Sequence, residues 1–298
     1  MSCPGSVGYN GYLLIGSNTL PYLTGGLSSS KDIIDSEPLS VSSSAVYSSQ
    51  YNYIAGRDLY KGNFSTEIYA SGAYGIALKT LIAMAVRSNK CSTVGGAGGA
   101  GSFIFSPNGK QMQTITGKAA INTFSLRGNP GGNVQLSFGL VATSVSQTPS
   151  TEQATISFET VGNTDDGNPL PYYSSSFTTL GSSDDSLIAT YLMDWNLNIS
   201  YSVTPIYTFC PGVTTPYDLR LGIMQVTGDF CYYNPAGIYD SSLSTASIII
   251  DLILGRFTLG NVKFIEDSVP SQGQNDVIFR HVKFRAFGTS NAPSITFA

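Results

Sequence analysis

The 298-residue chain contains one histidine, His281. Any Ser-His-Asp chemistry would have to pass through it. Lys283 and Arg285 follow it at alternate positions. No G-x-S-x-G turn exists to raise a serine towards it. A surface or interface histidine is the expectation. One histidine cannot build a histidine-based metal site, and no other group of Cys, Asp or Glu has ligand spacing. Cys3, Cys91, Cys210 and Cys231 show no C-x-x-C arrangement. They read as reduced thiols, with a Cys210–Cys231 disulfide as the alternative. The carboxylate pairs Asp165-Asp166 and Asp184-Asp185 lie among Gly, Ser and Asn. Neighbouring residues of an extended chain point to opposite faces, so solvated loops are expected rather than an acid–base pair. Gly96, Gly98 and Gly101 satisfy G-x-G-x-x-G. The motif needs a strand before it and a helix after it, whereas here a predicted helix precedes and Phe103-Ile104-Phe105 follows. A glycine loop is the reading. Asn63-Phe64-Ser65 and Asn198-Ile199-Ser200 match the glycosylation sequon but fall inside predicted strands. No catalytic constellation and no cofactor are expected.

What remains is a scaffold. Trp195, Leu197, Ile199, Tyr201 and Val203 alternate with Asn196, Asn198, Ser200 and Ser202. Strict period two gives a strand with one buried and one polar face. Val134, Leu136, Phe138 and Leu140 repeat the pattern, as do Val282, Phe284 and Ala286. Further strands are expected over 247–254 and 257–265. One helix is predicted over 74–88 from Ile76, Leu78, Leu81, Ile82, Ala85 and Val86. Ser71 is its expected N-cap, and Arg87 and Lys90 complement its carboxyl end. Two long stretches, 37–59 and 205–216, resist assignment. Their aromatic content argues for ordering against a neighbour.

The sequence also repeats itself. Asn18-Thr19-Leu20-Pro21-Tyr22 returns as Asn168-Pro169-Leu170-Pro171-Tyr172, and Gly62-Asn63-Phe64 as Gly228-Asp229-Phe230. Each half closes with two strands separated by a break. A mainly β protein with one or two helices follows, built from two tandem sandwich or barrel domains, 1–150 and 151–298.

Charged residues make up 11% of the chain, about half the ~25% usual for soluble domains. Much of the surface should therefore be covered by other protein. The net charge of −4 gives no overall attraction to DNA or anionic membranes. The stretch 128–219 has no Lys or Arg and eight acidic residues, while 256–298 holds five basic and three acidic ones. A subunit polarised in this way suits head-to-tail contacts between copies. No apolar run reaches the ~18–20 residues of a membrane span, and no basic segment opens a secretory signal.

The order and spacing of these segments resembles the phage tail tube protein family in its duplicated-domain form. The resemblance rests on Gly62-Asn63-Phe64 leading into the helix, on 116–126 and 131–138, and in the second half on 195–203, 226–230, 259–264 and 277–287. It implies small β-sandwiches flanked by a helix, joined edge to edge into a closed ring. Rings stack into a hollow tube through which viral DNA passes without specific binding. The implied partners are further copies of the chain and other tail proteins. The implied location is the virion tail, with synthesis in the host cytoplasm. Two tube domains per chain imply a homotrimeric, pseudo-sixfold ring; a homohexamer follows if one half stays outside the wall. Asp194 and Asp218 are the candidate lumen-facing acids. Tyr207, Phe209, Pro211 and Tyr217 are the candidate ring-stacking residues. The alternatives are a baseplate hub or capsid-associated protein, or a carbohydrate-binding β-sandwich or adhesin.

Overall fold

The alternation read along single segments becomes continuous rows when the strands are placed side by side. The computed structural model describes residues 12–16, 18–36, 52–69, 72–86, 103–106, 111–149, 169–181, 184–208, 213–233, 246–268, 279–288 and 295–298. The first half contains strands β1 (Tyr12–Ile15), β2 (Asn18–Pro21), β3 (Thr24–Ser36) and β4 (Asn52–Glu67), then helix α1 (Gly72–Val86). Strands β5 (Phe103–Ser106), β6 (Gln111–Ile115), β7 (Ala119–Gly128), β8 (Gln135–Ala142) and β9 (Val145–Pro149) complete it. The second half contains β10 (Ser176–Leu180), helix α2 (Asp185–Tyr191), β11 (Leu192–Ile206), β12 (Asp218–Tyr233), β13 (Ala246–Leu252), β14 (Gly255–Ser268), β15 (Phe279–Ala286) and β16 (Ile295–Phe297). The protein is mainly β with two helices.

The main sheet runs β10-β13-β14-β15-β12-β11-β7-β8-β4-β3, with β16 on β14. A smaller sheet, β2-β1-β5-β6-β9, forms a second layer with α1 over the first half. Phe64, Phe138, Phe124, Ile199, Val226, Ala286 and Val262 follow one another across seven strands. All seven are buried. One cluster of buried side chains extends through both halves, and the halves meet where β11 pairs with β7. The helix buries Leu78, Leu81, Ile82 and Ala85, but Ile76 is 55% exposed, outside the expected stripe. Tyr201 of β11 donates its hydroxyl to the Ala85 carbonyl at 2.7 Å, which satisfies one of the helix's terminal acceptors. The predicted cap Ser71 and the cations Arg87 and Lys90 lie outside the described residues.

The pairing pattern of the first half recurs in the second. The order β3-β4-β8-β7 has the counterpart β11-β12-β15-β14, and β1-β5-β6-β9 has β10-β13-β14-β16. Strand β14 spans what β6 and β7 cover in two pieces. Even the irregularities coincide. Counted from Gly62 and Gly228, the residues four before (Asp58, Met224) pair with Lys31 and Tyr201. Those seven before (Ala55, Leu221) pair with Ile33 and Val203 across a register shift. A second shift falls between Ile121 and Thr123 in β7 and between Phe264 and Glu266 in β14. The pentapeptide match fares differently. Asn18–Pro21 is β2, following β1, whereas Leu170 precedes β10 and bonds across to Ile68 and Val134. The two pentapeptides therefore occupy different places. The division expected near residue 150 adjoins 150–168, which lies outside the described residues.

Candidate functional site: the polar face and edges of the main sheet

Period-two alternation leaves the main sheet with one polar face that no second layer covers among the described residues. One row on it reads Ser65, Ser137, Ser125, Asn198, Thr227, Arg285 and Lys263. The next reads Glu67, Gln135, Arg127, Asn196, Asp229, Lys283 and Glu266. Charges of both signs alternate along this second row. Lys283 Nζ lies 2.7 Å from Glu266 Oε2. Asn133 donates to Glu67 Oε1 at 3.0 Å. Asn198 Nδ2 donates to Asn196 Oδ1 at 2.5 Å, and Asn196 in turn donates to Asp229. Burial pushes the Asp229 carboxyl above the ordinary range, with the Asn196 bond opposing.

A shallow polar groove at the junction of the halves is lined by Ser125, Arg127, Asp194, Asn196, Asp229 and His281. The candidate Asp194 is therefore on this face, half-buried. His281 is exposed there as expected, with Nε2 3.7 Å from Cys231 Sγ. Burial, then Asp194 and Asp229, push the Cys231 thiol up to about 11. That is the opposite of what a cysteine nucleophile needs. Cys231 is a free thiol, and Cys210 lies outside the described residues.

Asp218 is placed differently. It meets Lys118 Nζ at 2.9 Å, and the Lys118 hydrogen bond holds its carboxyl below the ordinary range. Its charge is locally compensated. Beside it Tyr217 is 69% exposed, with Lys118 Nζ 5.4 Å from its ring centre. Tyr207 lies under the Arg57 guanidinium at 4.6 Å, and Thr214 Oγ1 donates to Asp58 Oδ2 at 2.8 Å. So the β11–β12 hairpin end is braced against β4 of the first half. Residues 52–59, read as irregular from sequence, belong to β4. Phe209 and Pro211 lie outside the described residues.

Sequence reasoning missed one cluster. Asp184, expected in a solvated loop, is buried. Its Oδ2 accepts from Arg280 at 2.6 Å and from the Tyr232 hydroxyl at 2.5 Å. Arg280 is 1% exposed and sits on the core side of β15 with Val282 and Phe284. The signal was a charge in phase with the apolar residues of its strand. Asp185 accepts from Thr179 and from the Gly181 amide. Asp165 and Asp166 lie outside the described residues. Among the described residues no group of three His, Cys, Asp or Glu could hold a metal ion. No described helix is long and apolar enough to cross a membrane.

A family model for phage tail tube proteins matches residues 10–286. The chain belongs to the phage tail tube protein family. No individual curated protein matches it. It is thus a structural protein of the phage tail and of the virion, in a family not known for catalysis, whose members assemble with other tail subunits.

For a tail tube protein the strand edges matter as much as the faces. On its side away from β4, β3 pairs with no described strand. Residues 263–268 of β14 pair with β15 on one side, while on the other the ladder with β13 ends at Val262. These two strand edges, unlike in sequence, are open among the described residues.

Proposed function

We propose that this tail tube protein polymerises into stacked rings that form a hollow conduit for viral DNA. The carrying observation is the β7–β11 joint. It fuses two sets of strands with the same pairing order into one uninterrupted sheet. An edge joint of this kind, repeated between copies, closes a sheet on itself and removes its open edges. In this reading the chain comprises two tandem tube units, 1–150 and 151–298. Three copies close a pseudo-sixfold ring, made in the host cytoplasm and carried in the tail.

The polar face lines the bore. It presents small hydroxyl and amide side chains with interspersed charges. Such a surface offers a passing polyanion no continuous basic track to release counterions against. Asp194, next to Asp229, is the lumen acid this reading favours; Asp218 is balanced by Lys118. Tyr207 and Tyr217 belong to the hairpin end that faces the neighbouring ring, and Phe209 and Pro211 lie between them in the sequence. Negative-stain microscopy of the purified protein tests the assignment: rings or tubes are expected, and dispersed monomers at high concentration would oppose it. Replacing Asp194 and Asp229 with lysine should leave tubes intact and slow DNA ejection at low salt, where screening is weakest.

A further inference from the structure

The β7–β11 joint has a counterpart that a single chain cannot make. Equivalence of the halves, fixed by Gly62 with Gly228 and by the coincident register shifts, matches β3 to β11 and β7 to β14. Leu27, opposite Gly62, corresponds to Leu197, opposite Gly228. Thr123, just past the shift in β7, corresponds to Glu266, just past the shift in β14. Within the chain Asn198 pairs with Ser125, Ile199 with Phe124 and Ser200 with Thr123. Transferring these pairs position by position gives a register for the two open edges.

We propose that β3 of one copy pairs antiparallel with the end of β14 of the next. Ser28 then faces Ser268, Ser29 faces Asp267 and Ser30 faces Glu266. The proposal rests on the ring reading above and adds the surface that joins the copies. Edge strands of monomeric proteins are blunted by charge, proline, bulges or brevity. The run Thr24–Ser30, exposed except for half-buried Leu27, has no charge, proline or register shift; in the 13-residue β3 these begin only at Lys31. Its occupant must supply a strand edge, and the equivalent joint within the chain is antiparallel. A second copy carries one at the matching position of its own repeat. Because the two edges are unlike, the contact is head-to-tail, and such contacts make rings when their rotation closes.

Cysteine pairs in the full-length protein test the register. The variants Ser28→Cys/Ser268→Cys and Ser29→Cys/Asp267→Cys sample two successive cross-strand pairs. One of these is a non-hydrogen-bonded pair, whose Cα atoms come closest, near 4.5 Å. After mild oxidation at least one variant should run on a denaturing gel as a reducible ladder ending at the ring's copy number. The wild type, the single variants and the displaced pair Ser30→Cys/Ser268→Cys should not. Rings visible by microscopy without a ladder from either pair would overturn this interface and leave the tube assignment in place. A ladder from the displaced pair alone would overturn the register. Absence of any assembly would overturn both the interface and the reading beneath it.

Discussion

Arg280 is a charged side chain at a core position, and its environment decides what its loss would do. Its guanidinium reaches Asp184 and the Tyr232 hydroxyl, 3.0 Å away, with Tyr232 fully buried. Removing one partner of a buried pair strands the other charge, at a cost of about 3–5 kcal/mol. Arg280→Met should lower stability by that amount in chemical denaturation. Adding Asp184→Leu should recover much of the loss; a double variant as unstable as the single one would show that packing, not charge, is responsible. Asp229 behaves in the other sense. Its carboxyl is raised in the folded state, so its contribution is most favourable below the ordinary carboxylate range. That contribution is lost as pH rises through the raised value. Asp229→Asn should therefore match or exceed wild-type thermal stability at pH 7, and the advantage should vanish towards pH 4. Neither residue was legible as a site. Asp184 reads as a loop carboxylate until the fold brings it under Arg280, 96 positions away.

At the level of elements, the strands were the most readable part of the sequence. Val134, Leu136, Phe138 and Leu140 are buried in the phase that alternation predicts, and so are Trp195, Leu197, Ile199 and Tyr201. Val203 stays in phase but is only half-buried: past the register shift, whose extra residue lies in β12, it packs with Ala120, Val141 and Leu219 in a separate small cluster. A local pattern cannot announce a bulge set by the partner strand. The helix was legible as an element but not in its attachments. Its end is held by Tyr201 of the other half, a bond between residues 116 positions apart. Tyr201→Phe should cost about 1 kcal/mol and speed amide exchange in the last turn of α1, leaving the sheet protected. The hairpin end offers a cleaner test of ring stacking. Tyr217 is mostly exposed, so Tyr217→Ala should preserve the subunit and its ring while shortening or abolishing tubes. Tubes of normal length would remove Tyr217 from the stacking contact.

The whole molecule is best described by its sheet. From Ser125 of β7 the cross-strand path through Ser137 and Ser65 reaches Thr24 of β3. From Ser268 of β14 the path through His281 and Cys231 reaches Asp194 of β11, four residues short of Asn198, the partner of Ser125. With Ser28 placed opposite Ser268 as proposed, four residues from Thr24, each set of four strands advances by four residues. A shear equal to the strand number tilts strands by about 36°, as in eight-stranded barrels of shear eight. That is within the range in which sheets close. In the proposed trimer, three copies would bring 24 strands, eight from each in the order β14-β15-β12-β11-β7-β8-β4-β3. At ~4.8 Å between strands and this tilt, the backbone cylinder is about 45 Å across; six copies placing both halves in the wall would give about 90 Å. Gly62-Asn63-Phe64 and Gly228-Asp229-Phe230, matched in the sequence, hold corresponding places in the two pairing orders. The joint was not legible in the sequence, because β11 and β7 come together only through tertiary pairing. Cryo-electron microscopy of isolated rings, with rotational averaging and a count of chains, tests the central claim most directly. The predicted result is three chains per ring around a backbone cylinder of about 45 Å, with unbroken strand pairing from one copy to the next. Six chains per ring, or a wall whose copies meet without β3 and β14, would contradict it.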